Sequence, residues 1–164
     1  MAATFFEEAL GIYRRSNNPT GVGEQLMNLG DVSLRQNQFR QAISYLRQAL
    51  TSFRGTGYKL GEIETLTMLA EALHGAAQPA AARAELQTAL RLASETSNTY
   101  KQASVHRELA ESHHRAGEDE KSRHHWQHAL AIYSQLGVPE ADHAHSMVTA
   151  QQAKHAEPPP TPPE

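Results

Sequence analysis

The sequence predicts an all-α protein, an α-solenoid of about eight helices stacked as antiparallel pairs with a 40-residue period. Three observations carry that expectation. Apolar residues make up 39% of the 164 and aromatics only 6%, so a core must be built mostly from Leu and Ala. That suits close-packed helices, whereas a β-sandwich draws on Val, Ile, Thr and aromatic residues. Next, the pair Ala9-Leu10 returns as Ala49-Leu50, Ala89-Leu90 and Ala129-Leu130, and Leu29-Gly30 returns as Leu69-Ala70 and Leu109-Ala110. Further columns keep the same period: Leu26 with Leu66, Ala42 with Ala82 and Ser122, and Phe6 with Leu46, Leu86 and Trp126. Finally, the apolar steps inside a unit alternate between three and four, as in Phe39, Ala42, Ile43, Leu46, Ala49, Leu50 and Phe53, which paints one stripe on a helix.

Taken along the chain, residues 3–17 form a second helix without its first, and complete pairs follow at 20–56, 60–96 and 100–137. Asn18 before Pro19 is an N-cap followed by a first helical residue. Leu60, Ile63, Leu66, Leu69, Ala70 and Leu73 form the stripe of the next first helix. Asn37 and Gly117 suit the left-handed turn that ends a helix, while Ala77 in the same column does not, so the middle turn is expected to differ. Gly55 to Gly57, Ser97-Asn98 and Gly137 to Pro139 mark longer joints between units. A terminal capping helix is expected at 139–154, and residues 157–164, with five prolines, are expected to be a disordered, solvated tail.

Composition excludes several classes of function. The absence of Cys removes disulfides, thiolate metal sites and Cys nucleophiles. Fifteen basic against 18 acidic residues, a net −3, leave no basic excess for nucleic acid. No apolar run reaches membrane-spanning length, and Phe5-Phe6 lead straight into Glu7-Glu8 rather than into a signal-peptide core, so a cytoplasmic location is expected. No phosphate loop, dinucleotide fingerprint or nucleophile elbow is present, and the expectation is a non-enzymatic module without catalytic residues, cofactor or bound metal. Nine of the ten histidines fall in the last 59 residues. His124 and His128 have a metal-compatible spacing on one helix, but spacing fixes no third ligand beside them, and they are read as solvated side chains of an outer face. His106 and His113 occupy columns held by Leu26 and Leu66 and by Leu73, so they are expected to be partly buried, neutral and acid-sensitive.

The columns Leu29, Gly30, Ala42, Ala49, Leu69, Ala70, Ala82, Ala89, Leu109, Ala110, Trp126 and Ala129 resemble those of tetratricopeptide repeats. In that pattern small residues sit where helices cross and large ones fill the gaps around them. The departures are a period of 40 rather than 34, and Ser33 and His113 where the family favours a large aromatic. The resemblance implies a curved solenoid whose concave face, lined by first helices, binds a peptide or another domain. It places Glu24, Asn28, Asp31, Arg35, Glu64, Met68, Glu71, Glu108 and Glu111 on that face as candidate partner-binding residues, and several arginines of the second helices, Arg83 among them, on the outer wall. Asp31, Glu71 and Glu111 repeat every 40 residues, which suggests an acidic trough for a basic or amphipathic protein segment. Carboxylates at these positions also argue against clamping an acidic tail, as chaperone-binding members of the family do.

A narrower likeness covers Ala129-Leu130-Ala131-Ile132-Tyr133-Ser134-Gln135-Leu136-Gly137-Val138-Pro139-Glu140-Ala141-Asp142. This run is similar to the carboxyl end of large actinobacterial regulators of the Streptomyces antibiotic regulatory protein family. Longer members of that family join DNA-binding, activation and ATPase domains to C-terminal repeats. The likeness implies a piece of a longer transcriptional regulator of secondary metabolism, with other domains of the same regulator as possible partners and the DNA-reading parts elsewhere. The alternative expectation is a self-association scaffold that forms a homodimer through an apolar end surface of Phe5, Phe6 and Tyr13.

Overall fold

The computed structural model describes residues 2–155, and the expected proline-rich tail at 157–164 lies outside them. Eight α-helices follow one another: α1 (Ala2–Arg15), α2 (Pro19–Arg35), α3 (Phe39–Thr56), α4 (Lys59–Gly75), α5 (Pro79–Glu95), α6 (Thr99–Arg115), α7 (Asp119–Leu136) and α8 (Glu140–His155). Each packs on its neighbours in sequence as an antiparallel hairpin, and α2 also touches α4, as α4 touches α6. Second helices make no comparable contact with one another among the described residues, so the first helices line the tighter inner face of the stack.

The turns recur at half the repeat. Left-handed backbone occurs at Asn17, Asn37, Gly57, Ala77, Ser97, Gly117 and Gly137, one residue in every 20. After each, the next amide donates back across the helix end, as in Gln38 N–H to Ser33 O, Gln78 N–H to Leu73 O and Glu118 N–H to His113 O. This six-to-one bond is the Schellman arrangement, and it satisfies carbonyls the helix leaves unpaired. Two expectations are corrected here. The joints between units are no longer than the turns within them, so the 40-residue period comes from helices of 17 and 18 residues in the complete pairs. The middle turn does not differ either: Ala77 adopts φ of 57°. Two good packing faces on either side impose that geometry against the local preference of Ala. Replacing Ala77 with Gly should therefore stabilise the protein by about 1 kcal/mol, read as a higher urea midpoint at unchanged slope.

Helix starts are mixed. Asn18 caps α2 by accepting from Gly21 N–H at 2.9 Å, and Asn98 caps α6 by accepting from Lys101 N–H at 3.1 Å. Pro19 and Pro79 stand in the first turns of α2 and α5, where no amide is missed.

A continuous core runs along the stack. Leu29, Ala42, Ala49, Leu69, Ala70, Ala82, Ala89, Leu109, Ala110, Trp126 and Ala129 are all buried, together with Gly30. At Gly30 the α2–α3 crossing is so close that an added Cβ would lie 2.6 Å from Leu46 Cδ2. The middle of the core joins Leu46, Ile63, Leu66, Leu73, Leu86 and Leu109, with Met27, Phe39 and Met68 packed at its edge. α4 is buried on two sides, yet the first member of its expected stripe, Leu60, is 37% exposed, because the helix begins there at the rim. Glu62, one turn in, is only 3% exposed and is held by Lys59 Nζ at 2.9 Å and Arg54 at 3.8 Å. At the carboxyl end, Trp126 packs among Ala103, Ala110, Ala129, Tyr133, Ala144 and Val148.

Candidate functional site

The inner face is built by residues that follow the core leucines of α2, α4 and α6. Two positions beyond Leu29, Leu69 and Leu109 stand Asp31, Glu71 and Glu111. Glu24, Arg35 and Glu71 are exposed, while Asn28, Asp31, Glu64, Met68, Glu108 and Glu111 are half-buried. Charge pairing cuts into the expected acidic trough. Asp31 accepts from Arg35 Nε at 2.8 Å, and Glu64 accepts from Lys101 Nζ at 2.8 Å, a bridge from α4 to α6. Arg107 donates to both Glu108 and Glu111, and Arg115 approaches Glu111 at 3.5 Å. Among the described residues, Glu24 and Glu71 have no cationic partner.

The face deepens between α4 and α6 into a pocket of about 210 Å³, bordered by Ala70, Glu71, His74, Leu86, Glu108, Glu111 and Arg115. Burial pushes the Glu108 carboxyl above its ordinary range; Glu111 and Glu71 add to the rise, and Arg107 and Arg115 oppose it. His74 is pushed the other way, toward the neutral ring, by burial and then by Arg115 and Arg83. Its Nε2 is buried without a hydrogen-bond partner, and so is Nη1 of Arg83. Arg83 is thus half-buried and close enough to act on His74, rather than standing free on an outer wall.

Residues 25–95 match the tetratricopeptide repeat family. The whole arrangement superimposes on solved helical-repeat proteins. BtubC from P. vanneervenii gives a TM-score of 0.80 at 18% identity, covering 95% of this chain and 66% of that one. The apo form of RapI gives 0.78, and a Rap protein complexed with Competence and Sporulation Factor gives 0.74, each at 18% identity, with 92% of this chain and 44% of the other covered. The fold is an α-solenoid like that of tetratricopeptide repeats. This chain therefore spans about two thirds of the length of BtubC and less than half of the Rap proteins. No curated protein matches the sequence. Among the described residues no helix is long and apolar enough to cross a membrane.

The third helix pair, α6 and α7, holds a feature that sequence spacing missed. Five imidazoles from α6 and α7 pack against one another. His106 Nδ1 and His125 Nδ1 lie 2.9 Å apart, His106 stacks on His128 with ring centres 4.8 Å apart, and His113 stacks on His125 at 5.4 Å. His124 and His128 meet through their Nε2 atoms at 3.2 Å. Burial first, then neighbouring imidazoles, lowers His106 and His125 to about 4. His124 and His128 are exposed, as expected of an outer face, although His106 lies against the His128 ring, and His125 between them is half-buried. His113 is buried as expected, but its Nδ1 lies 2.7 Å from Glu118 Oε2, so it has an anionic neighbour. The repeat columns held the missing signal: His106 and His125 stand where Leu26 and Tyr45 stand in the first repeat, and those two share one core cluster.

Proposed function

We propose that the first-helix face of this solenoid binds a protein or peptide, and that its ligand is a basic or amphipathic segment. The observation that carries the proposal is the α4–α6 pocket, where Glu71, Glu108 and Glu111 converge and the half-buried Glu108 is pushed above its ordinary range despite its pairing with Arg107. A ligand ammonium or guanidinium placed there would offset that rise, and the unpaired Glu71 and Glu24 extend the attraction along the face. A similar fold was solved in complex with Competence and Sporulation Factor, which supports partner binding as the use of such a stack. In the same reading the chain is the repeat region of a transcriptional regulator, where the contact restrains attached domains or recruits a signalling partner. The support for that context is the run Ala129 to Asp142.

The test replaces Asp31, Glu71 and Glu111 together with Gln and measures binding of a panel of Lys- and Arg-rich amphipathic peptides at low and high salt. The variant is expected to keep the parent's melting temperature, because the carboxylates lie on the rim of the core and the Asp31–Arg35 pair is worth only about 0–1 kcal/mol. Peptide capture should weaken and lose its salt dependence. Binding as tight as the parent's at low salt removes the acidic face as the site.

A second reading, homodimerisation, is favoured by α1. Phe5 is 69% exposed and Ile12 is 56% exposed. Phe6, against the N-terminal core cluster, and Tyr13, against Gly21, are half-buried, so Phe5 and Ile12 present the more exposed apolar surface. Sedimentation over a range of concentrations separates the readings, since only self-association through Phe5 and Ile12 is concentration-dependent without added peptide.

A further inference from the structure

His124 and His128 are four residues apart on α7, so both rings leave the same exposed side of the helix. Their Nε2 atoms are 3.2 Å apart. Two imidazole nitrogens bound to one tetrahedral ion at about 2.0–2.1 Å stand roughly 3.3 Å from each other. The pair is therefore already at the bite of a chelate. His124, Gln127, His128 and Ala131 border an open surface hollow of about 330 Å³, which leaves room for further ligands on the ion. On the inner side His106 lies flat on the His128 ring, with planes 13° apart, and limits its rotation. Lys and Arg are absent from that stack of imidazoles. Among the described residues no group of three or more His, Asp or Glu side chains is placed to hold an ion together. The chain thus supplies two ligands and leaves the rest to water or to a donor from another molecule.

We propose that His124 and His128 form a two-imidazole chelate for a divalent transition-metal ion of the zinc, nickel or copper class, with open coordination positions on the exposed side of the third repeat. Such an ion ties one turn of α7 to itself and stabilises the folded third repeat by mass action. It competes with protons for the same nitrogens, so it is released in acid.

Zinc chloride titrated into the full, tag-free chain provides the test, followed by calorimetry and by the histidine ring signals in NMR. One saturable site is expected at about pH 7.5, with weaker binding at about pH 5.5, where protons compete for the same nitrogens. The His124 and His128 signals should shift with zinc while those of His143 and His145 stay in place. Loss of one of two ligands should weaken zinc by at least about tenfold, more than loss of a merely supporting contact. That applies to His124→Gln and to His128→Gln, whereas His145→Gln on α8 should bind as the parent does. Zinc should also raise the melting temperature of the parent and of His145→Gln only. The proposal is overturned by the absence of saturable binding at the higher pH. It is equally overturned by zinc binding that survives both α7 substitutions, or by an equal loss in His145→Gln.

Discussion

Replacing Trp126 with Ala is expected to cost about 3–5 kcal/mol and to unfold the carboxyl-terminal end of the solenoid before the rest. Trp126 is 0% exposed and is the largest side chain of the core. It fills the column that Leu46 and Leu86 fill in the earlier repeats, and its greater volume is matched by small neighbours, Ala103, Ala110, Ala129 and Ala144. Those alanines cannot close over the cavity that truncation would leave. His143 of α8 meets the indole edge to face, with ring centres 5.4 Å apart, so α8 loses its anchor as well. In a stack each repeat contacts only its neighbours, and the loss should stay local. Hydrogen exchange should show lost protection across α6, α7 and α8, with α3 and α4 near the parent's values. Trp126→Phe is the informative companion. The indole Nε1 has no hydrogen-bond partner, so Phe forfeits volume but no bond and should cost much less than Ala. Equal loss of protection along the whole chain would contradict the local account.

Acid is expected to loosen the same end. His106 faces His125, His128 and His124 of α7, and His125 faces His113 of α6 together with His124 and His128, and no carboxylate lowers the cost of charging either ring. Their folded values of about 4 lie below the unfolded value of roughly 6.5. The unfolded chain therefore binds more protons, and stability falls as pH drops from about 6.5 toward 4. Two shifts of this size, discounted for coupling and partial solvent exposure, amount to a loss on the order of 2–4 kcal/mol. Glu118 works in the same direction lower on the scale: bonds from Lys121 and then His113 hold its carboxyl below the usual range, and that support disappears once it is protonated. Glu108 opposes, since its raised carboxyl takes a proton more readily in the folded protein. Hydrogen exchange at about pH 5.5 and 7.5 should show faster opening of α6 and α7 in acid, beyond the intrinsic effect. The double variant His106→Leu, His125→Tyr, which copies the residues of the first repeat, should remove the difference. Unchanged acid loosening in that variant would point to other groups.

The fold class was legible because a repeat states the same packing problem several times. Leu29, Leu69 and Leu109 mark one side of a helix crossing, Ala49, Ala89 and Ala129 mark another, and all six are buried. Helix starts were legible where the chemistry is local, as at Asn18 and Pro19. Ala77 was not, because its left-handed backbone opposes local preference and is imposed by the packing of α4 and α5 on either side.

The candidate site divides along the same line. Sequence determined that carboxylates recur on the first helices, since that needs only the 40-residue period. Tertiary structure decided which of them stay unpaired: Lys101 reaches Glu64 across 37 positions of sequence, and Arg107 takes Glu108 and Glu111, while Glu71 is left alone among the described residues. The histidines follow suit. His124 and His128 are visible as a pair within one helix, but the ring that His106 lays on His128 comes from another helix, 22 residues earlier. Periodicity fixes which face a side chain takes. Its charge state and its partners depend on the neighbouring helix, because desolvation and ion pairing act through space over a few ångströms, whatever the separation along the chain.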